Sequence, residues 1–128
     1  MLTRENILAK NDTEIRKVKV PEWGGEVCVR VLTGVQRDAF ESAVAGKKKD
    51  GLQDIKGLRS MLVALALCDD KGTQLFSEAD APVLEKKSSK ALQRIFDAAA
   101  ELNGILPASM EEARADFTPD RNQESGTE

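Results

Sequence analysis

Glu14-Ile15-Arg16-Lys17-Val18-Lys19-Val20-Pro21-Glu22-Trp23-Gly24-Gly25-Glu26-Val27-Cys28-Val29-Arg30-Val31-Leu32 is the stretch that decides the fold class. Apolar residues alternate here with a period of two: Val18 and Val20 fall on one face of a strand, and Val27, Val29 and Val31 on one face of the next. Between them Pro21 ends the first strand, and Gly24 and Gly25 are free to take the positive φ that a tight reversal demands. The reading is a hairpin with one apolar and one polar face.

Downstream of Leu32 the period lengthens to that of a helix. Thr33-Gly34-Val35-Gln36 has the form of a capping box, and the residues after it put Val35, Ala39, Phe40, Ala43 and Val44 on one face, with Arg37, Asp38 and Glu41 toward water. Gly46 to Gly51, with three lysines, reads as a solvated loop. A second helix is expected from Ile55, with Leu58, Met61, Leu62 and Leu65 at helical spacing. From Met61 to Cys68 the chain is apolar throughout, and only Val63 is β-branched, so leucine, alanine and methionine favour a helix buried on most sides. This is the expected centre of the core.

Asp69-Asp70-Lys71-Gly72 reads as a turn, after which Leu75 and Phe76 return to the core. Ser77 or Asp80 caps a short helix, and Asp80 as the cap places Pro82 in the first turn, where its missing N–H costs little. Ser88 or Ser89 starts the last helix, whose stripe is Leu92, Ile95, Phe96, Ala99 and Leu102; Gly104 marks its end and Pro107 prevents continuation. Upstream, Thr3 caps a short opening helix carrying Ile7 and Leu8. The expected architecture is α+β: a mostly helical small domain with an N-terminal β-hairpin packed on a helical bundle, over residues 1–106. A disordered acidic tail is expected over 107–128, where the apolar pattern fails. That tail holds six acidic and two basic residues, which leaves the body near +1 in a chain of net charge −3.

Composition bounds the function. A chain of 128 residues is long enough for one real core. No apolar run reaches the roughly twenty residues of a membrane span, and the N-terminus lacks a basic segment followed by an apolar signal core, so the protein is expected in the cytoplasm where it is made. There is no histidine, which excludes Ser-His-Asp and Cys-His apparatus and histidine-ligated metals. Cys28 and Cys68 fall in different expected elements without a CxxC partner, so they read as buried free thiols and not as a zinc site or redox pair. Asp69, Asp70, Glu78 and Asp80 miss the spacing of a calcium loop, and Gly46-Lys47 lacks the earlier glycine and following hydroxyl of a phosphate loop. Neither a cofactor nor a catalytic site is expected.

Two features suggest binding. Lys86, Lys87, Lys90 and Arg94 gather around the start of the last helix, where cations oppose the helix dipole; an acidic protein partner accounts for that, and so does indifference to a small cost. Nucleic acid is not expected, because the body is nearly neutral and lacks interleaved aromatics. Trp23, the single tryptophan, either folds back over the hairpin or projects as an interface anchor. The hairpin edge is also a place where another chain could add a strand.

Trp23 to Arg30, Leu32-Thr33-Gly34 with Phe40-Glu41, Leu65 to Gly72 with Leu75-Phe76, Ala91-Leu92, and Ala98 to Gly104 follow one another in an order that resembles the tail assembly chaperone family of long-tailed bacteriophages. The resemblance spans residues 1–106. It implies a non-catalytic protein of the host cell cytoplasm that binds the tape measure protein, keeps it soluble, helps recruit tail tube subunits, and is absent from the mature virion. It further implies a longer form, made by ribosomal frameshifting, whose extension contacts the tail tube protein. Coating a long helical partner calls for many weak copies of one contact, so self-association is expected. The contact residues expected are Trp23, Leu75 and Phe76 with Lys86, Lys87 and Lys90. A structural tail subunit retained in the virion, such as a completion or adaptor protein, is the competing reading.

Overall fold

A computed structural model of the chain describes residues 1–46, 48–49, 52–53 and 57–105. The alternating stretch forms strands β1 (Ile15–Val20) and β2 (Gly25–Arg30), paired antiparallel with Val18 opposite Val27 and Arg16 opposite Val29. A 3₁₀ turn over Pro21–Trp23 joins them and closes on Gly24, whose φ of 71° is the left-handed conformation that a side chain disfavours. Val20 and Val29 are fully buried on the inner face, with Val18 and Val27 packed beside them. The expected alternation is therefore present.

After helix α2 (Gly34–Gly46), two short strands pair antiparallel: β3 (Lys48–Lys49), within the stretch expected to be a solvated loop, and β4 (Leu52–Gln53), just beyond it. Helix α3 follows at Leu58–Ala66, entered through Gly57 at φ 84°; the expected start at Ile55 lies outside the described residues. The apolar run does not stay helical to Cys68. Leu67 and Cys68 turn extended as strand β5, which pairs antiparallel with β2 and makes the sheet three-stranded in the order β1-β2-β5. The physical reason is backbone satisfaction: the second edge of β2 carries donors and acceptors that a continued helix would leave unpaired. That tertiary demand outweighs the modest helix preference of a leucine and a cysteine.

Helices α4 (Ala81–Leu84) and α5 (Ser89–Leu102) complete the domain. Ser77 and Asp80 form a capping box around a 3₁₀ turn at Glu78–Asp80, and Asp80 then occupies the N-cap position of α4 with Pro82 in its first turn. Ser88 caps α5 through its hydroxyl, which accepts from the Ala91 N–H. Helix α5 is the hub: it packs on α3 along one side and on β1 and β2 along the other. Its buried stripe runs from Ala91 through the large Leu92, Ile95 and Phe96 to the small Ala99 and Ala100, all of them packed into the core. From Met61 to Ala66, α3 is buried on all sides.

The first turn of α2 departs from expectation. Its capping box forms, with Gln36 Oε1 accepting from the Thr33 N–H at 3.0 Å and Thr33 Oγ1 accepting from the Gln36 N–H at 3.2 Å. Yet Val35 is 80% exposed, while Gln36 and Arg37 are half-buried. Gln36 donates to Gln74, and Arg37 donates from Nη1 to the Asn103 carbonyl at 2.8 Å, so polar anchoring takes the inner side of this turn and rotates Val35 outward.

Asn103, the C-cap of α5, ties three elements together. Its Oδ1 accepts from the N–H of buried Leu32 at 2.8 Å, and its Nδ2 donates to the carbonyls of Ala99 and Arg30. Gly104 follows at φ 69°, and the Ile105 N–H donates back to the Ala100 carbonyl, which seats Ile105 in the core. The expected acidic tail over 107–128 lies outside the described residues.

Candidate partner-binding surfaces

The acidic residues after β5 serve the backbone. Asp69 Oδ1 accepts from the N–H groups of Thr73 at 2.9 Å and Lys71 at 2.8 Å, and these bonds, that to Thr73 first, hold its carboxyl below the usual aspartate range. Gly72 completes the turn at φ 90°. Among the described residues no three histidine, cysteine, aspartate or glutamate side chains come together as a metal site. Nor is any described helix long and apolar enough to cross a membrane.

The structure brings part of the expected contact set together. Arg94 of α5 donates from Nε to both carboxylate oxygens of Glu22, at 2.9 and 3.1 Å, clamping the hairpin turn onto the helix. The Arg94 hydrogen bond is the main cause that lowers the Glu22 carboxyl, and the Lys90 ammonium is the least of the causes that lower it. Trp23 is the next residue along, 38% exposed, partly covered and partly open to a partner. Lys86 and Lys87 follow Glu85, the C-cap of α4, and are exposed, as is Lys90 in the first turn of α5. Val83 of α4, 61% exposed, precedes them; the Lys86 N–H donates to its carbonyl. Across the fold, the Arg94–Glu22 ion pair ties the Trp23 turn to α5, while Val83, Lys86 and Lys87 are exposed on the segment that leads into that helix.

Leu75 and Phe76 lie elsewhere. The Leu75 N–H donates to the Leu67 carbonyl and Gln74 bridges to Cys68, so this segment runs beyond β5, at the sheet edge opposite β1. Leu75 is 54% exposed and does not return to the core as expected; Phe76 does, half-buried against it. The difference is the strand-like alternation of neighbouring side chains across Gln74-Leu75-Phe76.

Sequence reasoning missed two apolar surfaces. Val83 was not distinguishable from Leu84 in composition, although a single helical turn can bury only one side, and Leu84 takes it. Helix α1 (Arg4–Ala9) is capped by a reciprocal Thr3–Asn6 box yet buries no residue, leaving Leu2, Ile7 and Leu8 each more than half exposed. Its amphipathic signal was visible, but that the described residues leave its apolar side uncovered was not.

A family model described as phage tail assembly chaperone matches residues 3–116 of the chain. Among solved structures, the chain is similar to the tail assembly chaperone of bacteriophage HK97, with a TM-score of 0.58 and 21% sequence identity over 77% of this chain and 90% of that one. At that identity the likeness speaks for the fold. No curated protein matches.

Proposed function

Since the chain belongs to the phage tail assembly chaperone family, a non-enzymatic family, we propose that it binds the tape measure protein in the host cytoplasm, keeps it soluble, and helps recruit tail tube subunits. The match over residues 3–116 carries this reading. The surface we assign to the contact is Trp23 with Lys86, Lys87 and Lys90, extended by Val83: an aromatic anchor with lysines whose charges no described carboxylate neutralises at hydrogen-bond distance. Such a surface suits a helix that carries both an apolar stripe and acidic side chains. Leu75, with Phe76 beneath it, forms a second contact on the opposite sheet edge. Two separated contacts on one small body permit a helical partner to be coated by successive copies, so we include self-association along the partner. A fusion at the C-terminus by ribosomal frameshifting would add the tail tube contact without disturbing the packed elements.

The test is co-expression with the tape measure protein, reading how much of the latter stays soluble and co-purifies. Lys86→Glu/Lys87→Glu/Lys90→Glu in one chain is expected to lose most of the co-purified partner at unchanged melting temperature; undiminished binding would remove the electrostatic part of the surface. Immunoblotting of infected cells and purified virions tests absence from the particle. A fixed copy number in virions would establish the structural-subunit reading instead.

A further inference from the structure

Cys28 and Cys68 lie 40 positions apart in sequence but directly opposite each other across β2 and β5. Both are free thiols; Cys68 is 2% exposed and Cys28 half-buried. Opposed residues of an antiparallel pair point their side chains to the same face, so both sulfurs sit on the face away from Val27 and Val29.

The hydrogen bonds around them fix the kind of pair. On the far side of β5, the Leu75 N–H bonds to the Leu67 carbonyl and the Asp69 N–H to the Thr73 carbonyl, which leaves the N–H and C=O of Cys68 pointing toward β2. On the other flank, the Val31 N–H bonds to the Glu14 carbonyl, so alternation turns the backbone groups of Cys28 toward β5. The cysteines therefore form a hydrogen-bonded pair, with Cα atoms about 5.5 Å apart, inside the range a disulfide spans. Their Cβ atoms stand wider, at about 5 Å, than the roughly 3.8 Å of a relaxed bridge, so closing the bond draws the strands together and leaves it easily reduced.

We propose that Cys28 and Cys68 are a dithiol modification site, which low-molecular-weight disulfides such as oxidised glutathione convert to a reversible intramolecular disulfide. Cys28, the more accessible thiol, loses its proton to solvent and attacks one glutathione sulfur; the glutathione disulfide breaks, one glutathione thiolate leaves, and Cys28 carries the other. The Cys68 thiol then loses its proton and attacks Cys28 Sγ, forming the protein disulfide and expelling the second glutathione. Two protein thiols are oxidised and one glutathione disulfide is reduced to two thiols. Burial raises the Cys68 pKa, so ring closure quickens as pH rises. The bond would fasten the two-residue strand β5 covalently to the hairpin. A reducing cytosol holds the site as the dithiol.

The test treats the full-length protein with buffers of increasing oxidised-to-reduced glutathione ratio, followed by alkylation in denaturant and intact-mass measurement. Expected is a monomer lighter by two hydrogens that takes up no alkylating agent, yields a Cys28–Cys68 crosslinked peptide, and returns to the dithiol in excess reduced glutathione. Cys68→Ser is expected to stop at the Cys28 glutathione adduct, and Cys28→Ser to react far more slowly. Accumulation of the adduct in the unmodified sequence as in Cys68→Ser, disulfides only between chains, or no reaction under oxidising buffer would each overturn the proposal.

Discussion

Replacing Asn103 by alanine should cost more than any other single change at a polar residue of the domain. The Asn103 amide satisfies the N–H of Leu32, a residue only 7% exposed at the point where β2 gives way to α2, and also reaches the carbonyls of Arg30 and Ala99. Asn103 itself has φ −93° and ψ 1°, a conformation alanine adopts without strain, so the backbone contributes little to the change. The Ala99 carbonyl keeps a second donor, the Asn103 N–H at 3.0 Å, but the Leu32 N–H is left buried without an acceptor. A stranded buried donor costs about 1–3 kcal/mol, and the lost bond to Arg30 adds about 1 more, giving a total of about 2–4 kcal/mol. For a domain of this size that corresponds to roughly 10 °C in melting temperature. Urea denaturation should show the midpoint falling at unchanged slope, and Asn11→Ala, which removes only the exposed bond to the Thr13 N–H, should stay within about 0.5 kcal/mol. A loss below about 0.5 kcal/mol for Asn103→Ala would refute the reasoning, because the Leu32 N–H would then have found another partner at no cost. Asn103→Asp separates the halves of the amide: it keeps the acceptor for Leu32 but sets a carboxylate against two carbonyls. Stability closer to that of the unmodified protein than Asn103→Ala shows would assign the larger share to the acceptor for the Leu32 N–H.

Gly72→Ala should destabilise by about 1–3 kcal/mol, because φ is 90° and the new Cβ would meet Thr13 Cγ2 at 3.0 Å and Ile15 Cδ1 at 3.3 Å. Gly24→Ala, at φ 71° with open space around it, should cost only about 1 kcal/mol, and chemical denaturation ranks the two. Because its backbone bonds depress the folded-state pKa of Asp69, the turn they hold is fully supported above the ordinary aspartate pKa and loses that support as pH falls through the lowered value; an NMR carboxyl titration should give a midpoint below that of a free aspartate, tracked by the Lys71 and Thr73 amides. Arg94→Ala removes a solvent-screened ion pair and should leave the melting temperature nearly unchanged, while red-shifting Trp23 fluorescence and increasing its quenching by acrylamide as the hairpin turn lifts from α5.

Sequence alone determined the elements whose signal is local. Alternating valines around Pro21 and Gly24 can satisfy both a pleated face and a tight reversal only as a hairpin, and the stripe from Leu92 to Leu102 closes on one side of a helix and on no side of a strand. The capping box at Thr33 and the cap at Ser77 needed only bonds that reach three residues. The resemblance to tail assembly chaperones was likewise carried by linear order. What the tertiary structure decided depended on partners distant in sequence. Leu67 and Cys68 became a strand because β2 had an unpaired edge, and Cys28 met Cys68 only through that pairing. Val35 turned outward because Arg37 found the Asn103 carbonyl 66 positions away. Arg94 joined the Trp23 turn because Glu22 lay across the gap, whereas Leu75 was carried to the sheet edge beyond β5. A pattern of apolar residues states which side of an element seeks cover, but which polar groups it meets there is set by how the elements cross.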